Sequence, residues 1–259
     1  MRKVILITIG ILLFPIGSYA AVQTKIIPYT HGQTQLEGYL AWDDRVQGKR
    51  PGVLVIHEWW GLNDYARQRA EQLAALGYVA FAIDMYGKGQ VTIHPDQAKT
   101  WMMHIQNNVK EWQARAITGL EVLRNHPLVA PGKVAAIGYC FGGATVMQLA
   151  YSGTDIQGVV SFHGSLPLPE DPHNVQTPAK VLIAHGNADQ FVPESHVQKF
   201  RKAVEEAQLD WQMIVFSGTH HSFTNPIAGS YGIDAIKYSP VADKRSWAYM
   251  QTFFNELFQ

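Results

Sequence analysis

The chain is poor in cysteine: Cys140 is the one cysteine among its 259 residues. A single cysteine excludes an intramolecular disulfide. A thiol redox sensor is also disfavoured, because no second cysteine is present to resolve a sulfenic acid. Any role for this thiol must therefore be one that a lone sulfur can perform.

The chain also lacks a charge excess, since 21 Lys and Arg residues balance 21 Asp and Glu residues. No run of basic residues is present to neutralise phosphates, so we expect no nucleic-acid partner. His57 and Glu58 begin an H-E-x-x-H zinc motif, but Gly61 occupies the position of the second histidine. The other histidines are scattered without ligand spacing. We therefore expect no metal and no cofactor.

No apolar run is long enough to span a membrane comfortably, which takes about 20 residues. The longest candidate, residues 4–14, follows a basic start and precedes Pro15. Ser18 and Ala20 form a small-x-small cleavage site, so residues 1–20 are predicted to be a signal peptide cut after Ala20. The prediction is a periplasmic or secreted protein without a stable membrane anchor after cleavage. The alternative is a retained, uncleaved anchor.

What the chain does contain is a globular composition, with 47% hydrophobic residues and no repeat or linker. Short β-rich runs alternate with helical periodicity, which predicts an α/β fold with a mostly parallel sheet covered by helices on both faces. We expect residues 21–259 to form a single domain and a monomer. The predicted strands lie at residues 22–29, 34–42, 52–57, 78–83, 134–137, 158–162, 181–184 and 211–216. The predicted helices follow Asn63, cover residues 98–124 as one helix or two, follow Cys140, cover 193–208 and begin at Pro240.

The stretch around Cys140 organises the rest of the chain. A buried strand ends at Gly138, and helical periodicity resumes just after Gly142, which gives a Gly-x-Cys-x-Gly pattern. A nucleophile on a sharp strand-to-helix turn needs neighbours without a Cβ two residues before and after it. The turn would also direct the Phe141 N–H toward a developing oxyanion. The alternative is that Cys140 is only a small buried hydrophobic residue.

A cysteine nucleophile needs a base, and the base needs an acceptor that orients it. Asp189 follows the strand at residues 181–184, and the pair His220 and His221 follows the strand at 211–216. The carboxyl ends of parallel strands meet at one edge, so the order Cys140, Asp189, histidine suits a triad. Asp189 is alternatively a turn residue ahead of a helix. Spacing alone does not choose between the two histidines.

Four stretches together resemble the dienelactone hydrolase family of the α/β-hydrolase superfamily. They span nearly all of the chain after the signal: residues 57–63 (HEWWGLN), 138–143 (GYCFGG), 185–193 (HGNADQFVP) and 221–223 (HSF). In that family the histidine directly before Ser-Phe is catalytic, so the resemblance implies His221. It also implies that Glu58 lies beside the nucleophile and helps to hold or release its proton. The Trp59 N–H would be the second oxyanion donor. Glu58 is alternatively a strand-end carboxylate that faces solvent.

The sequence departs from the family at one informative position. The resemblance implies an arginine four residues after the catalytic histidine, where it binds the substrate carboxylate, but Asn225 stands there. Without that bidentate cation, the hydrolytic groups remain and the anionic substrate loses its partner. Residues 101–104 and 224–239 are predicted to wall the pocket, although Trp101 and Met102 also suit a core at helical spacing.

The function that these features predict is hydrolysis of small-molecule esters or lactones through an acyl-enzyme. The predicted groups are the triad Cys140, His221 and Asp189, with Glu58 and the amides of Phe141 and Trp59 assisting. Thioesters form less readily from amides, so esters and lactones are preferred to peptides. The alternative from another class is a non-catalytic secreted binding protein on the same fold.

Overall fold

The computed structural model describes residues 22–259. The predicted signal peptide therefore lies outside the described residues. Among residues 22–259, no helix combines the length and the apolar character that crossing a bilayer would require.

All eight strands belong to one sheet, in the order β1-β2-β4-β3-β5-β6-β7-β8. The strands are β1 (Val22–His31), β2 (Thr34–Asp43), β3 (Arg50–Ile56), β4 (Val79–Ile83), β5 (Val129–Tyr139), β6 (Gly158–Phe162), β7 (Lys180–Gly186) and β8 (Trp211–Phe216). The first two form an antiparallel hairpin, and β2 is also antiparallel to β4. Strands β3 to β8 are mutually parallel. The fold is thus the mostly parallel α/β arrangement that the sequence predicts.

Six α-helices cover the sheet. They are α1 (Asp64–Ala75), α2 (Pro95–Gln106), α3 (Val109–Arg124), α4 (Phe141–Tyr151), α5 (Glu194–Glu206) and α6 (Pro240–Leu257). The long periodic stretch at 98–124 forms two helices because Asn108 interrupts it and accepts a hydrogen bond from Glu111 N at 3.2 Å. Asn63 and Ser239 cap α1 and α6 in the same way.

Alternating side chains of the central strands enter two separate cores. Val53 and Val55 pack under α1 and α6, whereas Leu54 and Ile56 pack under the helices of the opposite face. Period-two alternation with apolar residues on both sides is what a doubly covered strand requires. Complete burial of each such side chain contributes about 1.5–3 kcal/mol. These two cores make the sheet a rigid base for the loops at its carboxyl edge.

Candidate active site

Cys140 lies at the turn between β5 and α4 with a left-handed backbone, φ 54° and ψ −112°. A non-glycine residue in this conformation is strained and is held by its surroundings. The backbone N–H of Cys140 donates to Phe162 O (3.0 Å) and to His163 Nδ1 (3.1 Å). The side chain is only partly buried. The turn therefore presents the sulfur at the carboxyl edge of the sheet.

The glycines on either side of Cys140 are explained by contacts that a Cβ would make. A Cβ on Gly138 would lie 2.0 Å from Gly142 O, and one on Gly142 would lie 2.1 Å from Ile56 O. Both clashes are with backbone atoms, which a side-chain rotation cannot relieve. The Gly-x-Cys-x-Gly spacing is thus a steric requirement of the turn.

The histidine that meets Asp189 is His221. Its Nδ1 lies 2.7 Å from Asp189 Oδ2, and both side chains are buried. The other carboxylate oxygen of Asp189 accepts from the amides of Phe191 (2.9 Å) and Val192 (3.2 Å). On its other side, His221 interacts electrostatically with Cys140, and both side chains line the same cavity. The three side chains predicted as a triad therefore form one interacting row, with His221 between Cys140 and Asp189.

The charges in this row stabilise one another. Burial alone would lower the pKa of His221, but the adjacent Cys140 and the Asp189 carboxylate raise it to about 10. Burial would raise the pKa of Asp189, yet the hydrogen bond and charge of His221 hold it below its usual range. The raised pKa of His221 favours its positively charged form.

Two amides are available near the sulfur. Within residues 22–259, neither Trp59 nor Phe141 donates its backbone N–H to a protein carbonyl. Phe141 is the first residue of α4, so its amide is among those that a helix leaves without an internal partner. The positive end of the helix dipole adds to the attraction for an anion there. Both residues line the cavity over Cys140, so their amides are candidates for binding an anion there.

Glu58 follows β3 and is buried rather than facing solvent. Ser222 Oγ donates to its Oε1 (2.7 Å), and Asn225 Nδ2 donates to its Oε2 (2.6 Å). Burial raises the pKa of Glu58, and the two donors partly oppose that rise. The Glu58 carboxyl group is therefore hydrogen-bonded to the segment that carries His221. The side-chain amide of Asn225 is engaged in its hydrogen bond with Glu58, and Asn225 is itself completely buried.

His163 is a site residue that the sequence reasoning missed. Its Nδ1 accepts from Cys140 N, so the ring proton is on Nε2, which donates to Thr224 Oγ1 at 2.6 Å. Burial and the charge of His221 lower the pKa of His163 well below its usual value, consistent with a neutral ring. Thr224 also bonds Tyr65 Oη at 2.6 Å. This chain links the nucleophile turn to the loop of His221.

The sequence held one signal that points to His163. It directly follows β6, which pairs with β5, so a polar residue there lies at the carboxyl edge beside Cys140. Thr224 gave no such signal. It lies in an irregular loop, and its partner Tyr65 is 159 residues away.

A cavity of about 130 Å³ opens over Cys140. Its lining is largely apolar: Trp59, Met102, Gln106, Cys140, Phe141, Ser165, Phe191, His221, Ser222 and Ile236. Of the predicted wall residues, Met102 and Ile236 do line it. Trp101 instead packs against Tyr86, with ring centroids 5.7 Å apart, so it belongs to the core.

In the part of the chain that the structure describes, no group of three or more His, Cys, Asp or Glu side chains is arranged to hold a metal ion. The polar groups around Cys140 are instead bonded to one another. The site brings together a thiol, an imidazole and a carboxylate, which are the side chains that acyl transfer through a cysteine needs.

The comparisons with known proteins agree on one family. The model of the dienelactone hydrolase family matches residues 36–258. Protein usf of Aquifex pyrophilus is 28% identical over 90% of this chain and 98% of its own length. A protein of Aquifex aeolicus named "Putative carboxymethylenebutenolidase" is 30% identical over 78% of this chain and 87% of its own.

A solved structure is closer in sequence. It is the dienelactone hydrolase-like promiscuous phosphotriesterase from metagenomic libraries, which is 38% identical with a TM-score of 0.88. The match covers 92% of this chain and all of that one. The similarity therefore extends over nearly all of the fold described above.

Proposed function

The chain belongs to the dienelactone hydrolase family of ester and lactone hydrolases, and we propose that it acts through a Cys140, His221 and Asp189 triad with an acyl-enzyme intermediate. The observation that carries the proposal is the pair His221 and Asp189, 2.7 Å apart, with His221 in the same cavity as Cys140.

In the first half of the reaction, His221 takes the proton of Cys140 and the thiolate attacks the carbonyl carbon. A carbon–sulfur bond forms, and the carbonyl π electrons move to oxygen. The amides of Phe141 and Trp59 bind that oxyanion. The tetrahedral species then expels the alkoxide, which receives the proton from His221. In a lactone the leaving alcohol stays attached to the acyl group.

In the second half, His221 removes a proton from water, and the hydroxide attacks the thioester carbonyl. The carbon–sulfur bond breaks, the acid leaves, and the sulfur regains a proton from His221. Asp189 keeps the Nδ1 proton of His221 in place throughout, so that Nε2 faces the reacting atoms. Esters and lactones suit this route better than peptides, because an amide forms a thioester less readily.

Glu58 is proposed to assist by influencing the proton of Cys140, as the family resemblance implies. What supports an assisting role is its burial and its bonds to Ser222 and Asn225, which adjoin His221. A neutral Glu58 would be able to donate a proton, and its raised pKa favours that form.

The direct test is the Cys140→Ala variant with a 4-nitrophenyl ester as substrate. We expect hydrolysis to fall to the background rate, because alanine has no thiol with which to attack the carbonyl carbon. Mass spectrometry of quenched wild-type enzyme should show one acyl group on the Cys140 peptide. Activity unchanged in the variant would refute the triad. A chain that neither hydrolyses any ester nor reacts with iodoacetamide near neutral pH would instead be the binding protein considered above.

Hydrolysis of phosphotriesters is a second candidate. One structural relative is titled a promiscuous phosphotriesterase. A phosphotriester is an uncharged electrophile, and no Lys or Arg is among the described residues that line the cavity. An assay with a diethyl aryl phosphate tests it: release of the aryl alcohol by wild type but not by Cys140→Ala is expected, and equal rates would reject it.

We also propose that the protein is exported, with residues 1–20 as the signal peptide. The support is the basic, apolar and small-x-small order of that segment. N-terminal sequencing of the extracytoplasmic protein should begin at Ala21. A start at Met1 would show that the segment is retained.

A further inference from the structure

No lysine or arginine is among the described residues that line the cavity over Cys140 and could bind an anionic substrate. Among the described residues that line it, the only titratable groups are Cys140 and His221. His221 already faces Asp189 on one side and Cys140 on the other. Most of the other lining residues are aromatic or aliphatic. Met102 and Ile236 are two of them and come from distant parts of the sequence.

The buried residue behind the Ser222 side of the cavity wall is acidic rather than basic. Ser222 lines the cavity and donates to the buried Glu58 carboxyl group. Besides His221, Arg69 is a cation whose charge reaches Glu58, but its guanidinium is already bound. It donates to the Thr224 carbonyl oxygen (2.7 Å) and to Asp243 Oδ1 (2.5 Å). A substrate carboxylate would therefore enter without a counterion.

We propose that the enzyme selects small, apolar and uncharged acyl groups and discriminates against esters whose acyl part carries a carboxylate. This rests on the proposed function, because it assumes acylation at Cys140. The volume of about 130 Å³ is close to that of an engineered cavity of roughly 150 Å³ that binds benzene. A ring or a short branched chain fits such a space.

We expect the site to exclude acyl groups that carry a negative charge. A carboxylate that enters apolar surroundings loses its hydration and gains nothing in return unless a cation pairs with it. A neutral group of the same shape loses much less. Discrimination between the charged and the neutral acyl group is measured by kcat/KM, because both binding and acylation require the acyl group to be inside the cavity.

The test compares two 4-nitrophenyl benzoates that differ only at the para position: carboxylate against carboxamide. The two substituents have nearly the same size, and a para carboxylate cannot reach its own ester to assist hydrolysis. Each rate is divided by that of the same ester with hydroxide. We expect wild-type kcat/KM to favour the carboxamide by at least about 30-fold, since only the carboxylate is buried unpaired.

The Met102→Arg variant supplies the missing cation from α2. Met102 lines the cavity, whereas its neighbour Met103 is exposed and does not. Met103→Arg is therefore a matched control with the same charge on the same helix. We expect Met102→Arg to reduce the preference for the carboxamide at least about fivefold and Met103→Arg to leave it unchanged. Should Met102→Arg fail to fold, Ser165→Lys places a cation at an exposed lining position.

The outcomes separate the two proposals. Equal turnover of both benzoates by wild type would overturn the inference about charge while leaving the triad intact. An equal change in Met102→Arg and Met103→Arg would overturn it too, because the effect would then come from distant charge rather than from the cavity. Hydrolysis of both esters by Cys140→Ala at the wild-type rate would overturn the triad itself.

Discussion

The hydrogen bond between Asp189 and His221 allows a sharp test through the Asp189→Asn variant. An asparagine retains an oxygen for the amides of Phe191 and Val192, so the loop geometry should survive. Its NH2 group would then face His221 Nδ1, 2.7 Å away in the wild type. Because two donors cannot share that bond, the ring proton would move to Nε2. Nε2 is the nitrogen that must accept the proton of Cys140.

The magnitude follows from what the carboxylate does. In a serine enzyme the same change lowers kcat about 10⁴-fold. A thiol has a pKa of about 8.5 and depends less on its base than a hydroxyl does. We therefore expect kcat/KM to fall about 10²–10³-fold, which corresponds to about 2.7–4.1 kcal/mol of transition-state stabilisation.

The assay combines ester hydrolysis with the pH dependence of Cys140 alkylation by iodoacetamide. In the wild type, Cys140 and the Asp189 carboxylate raise the pKa of His221 to about 10, which favours the imidazolium. Removal of the Asp189 charge lowers that pKa, so at a given pH a smaller fraction of His221 carries the positive charge that attracts a thiolate. Alkylation should then require a higher pH than in the wild type. The sign of this shift is set by the loss of a negative charge beside the imidazolium.

The control is Asp210→Asn, which removes the same charge from an exposed residue whose nearest cation, Lys180, is 3.8 Å away. It should leave both activity and alkylation unchanged, because an exposed pair at that distance contributes little. Asp189→Asn activity within threefold of wild type, in a protein that melts at the wild-type temperature, would refute the assigned role of Asp189.

Two further predictions concern the turn and its support. Gly138→Ala should destabilise the protein by about 3 kcal/mol or more in chemical unfolding, because its Cβ meets the Gly142 backbone at 2.0 Å. Gly229→Ala, where a Cβ meets no atom within 4 Å, should be neutral, and equal losses would contradict the steric explanation. Thr224→Val should lower kcat about tenfold with KM little changed, because His163 loses its acceptor, while Thr224→Ser should keep activity near wild type. Equal kcat in the two Thr224 variants would show that the hydroxyl does not position Cys140.

The fold was predictable because its signals are local. Asn63 and Ser239 cap helices by bonding amides three residues away, and the Cβ that Gly138 lacks would meet Gly142, four residues along the chain. Short apolar, β-rich runs marked the strands for the same reason. Differences arise at boundaries, as where β5 begins at Val129 rather than at residue 134.

The connections within the site were not predictable, because they join distant parts of the chain. Glu58 and Asn225 are separated by 167 positions, yet their side chains lie 2.6 Å apart. A single sequence shows that both are polar and gives no means of pairing them. The family resemblance supplied roles for Glu58 and His221, but it did not reveal that Asn225 holds Glu58 or that His163 supports Cys140.

The reacting groups and part of the cavity wall belong to different elements of the fold. This separation has an evolutionary consequence. Cys140, Asp189 and His221 are fixed to strand ends, while Met102 is contributed by α2, on the outside of the sheet. Mutation can therefore reshape the wall without disturbing the atoms that make and break bonds. Such a scaffold can acquire new substrates by small drifts in one helix, and it can do so while the older activity persists.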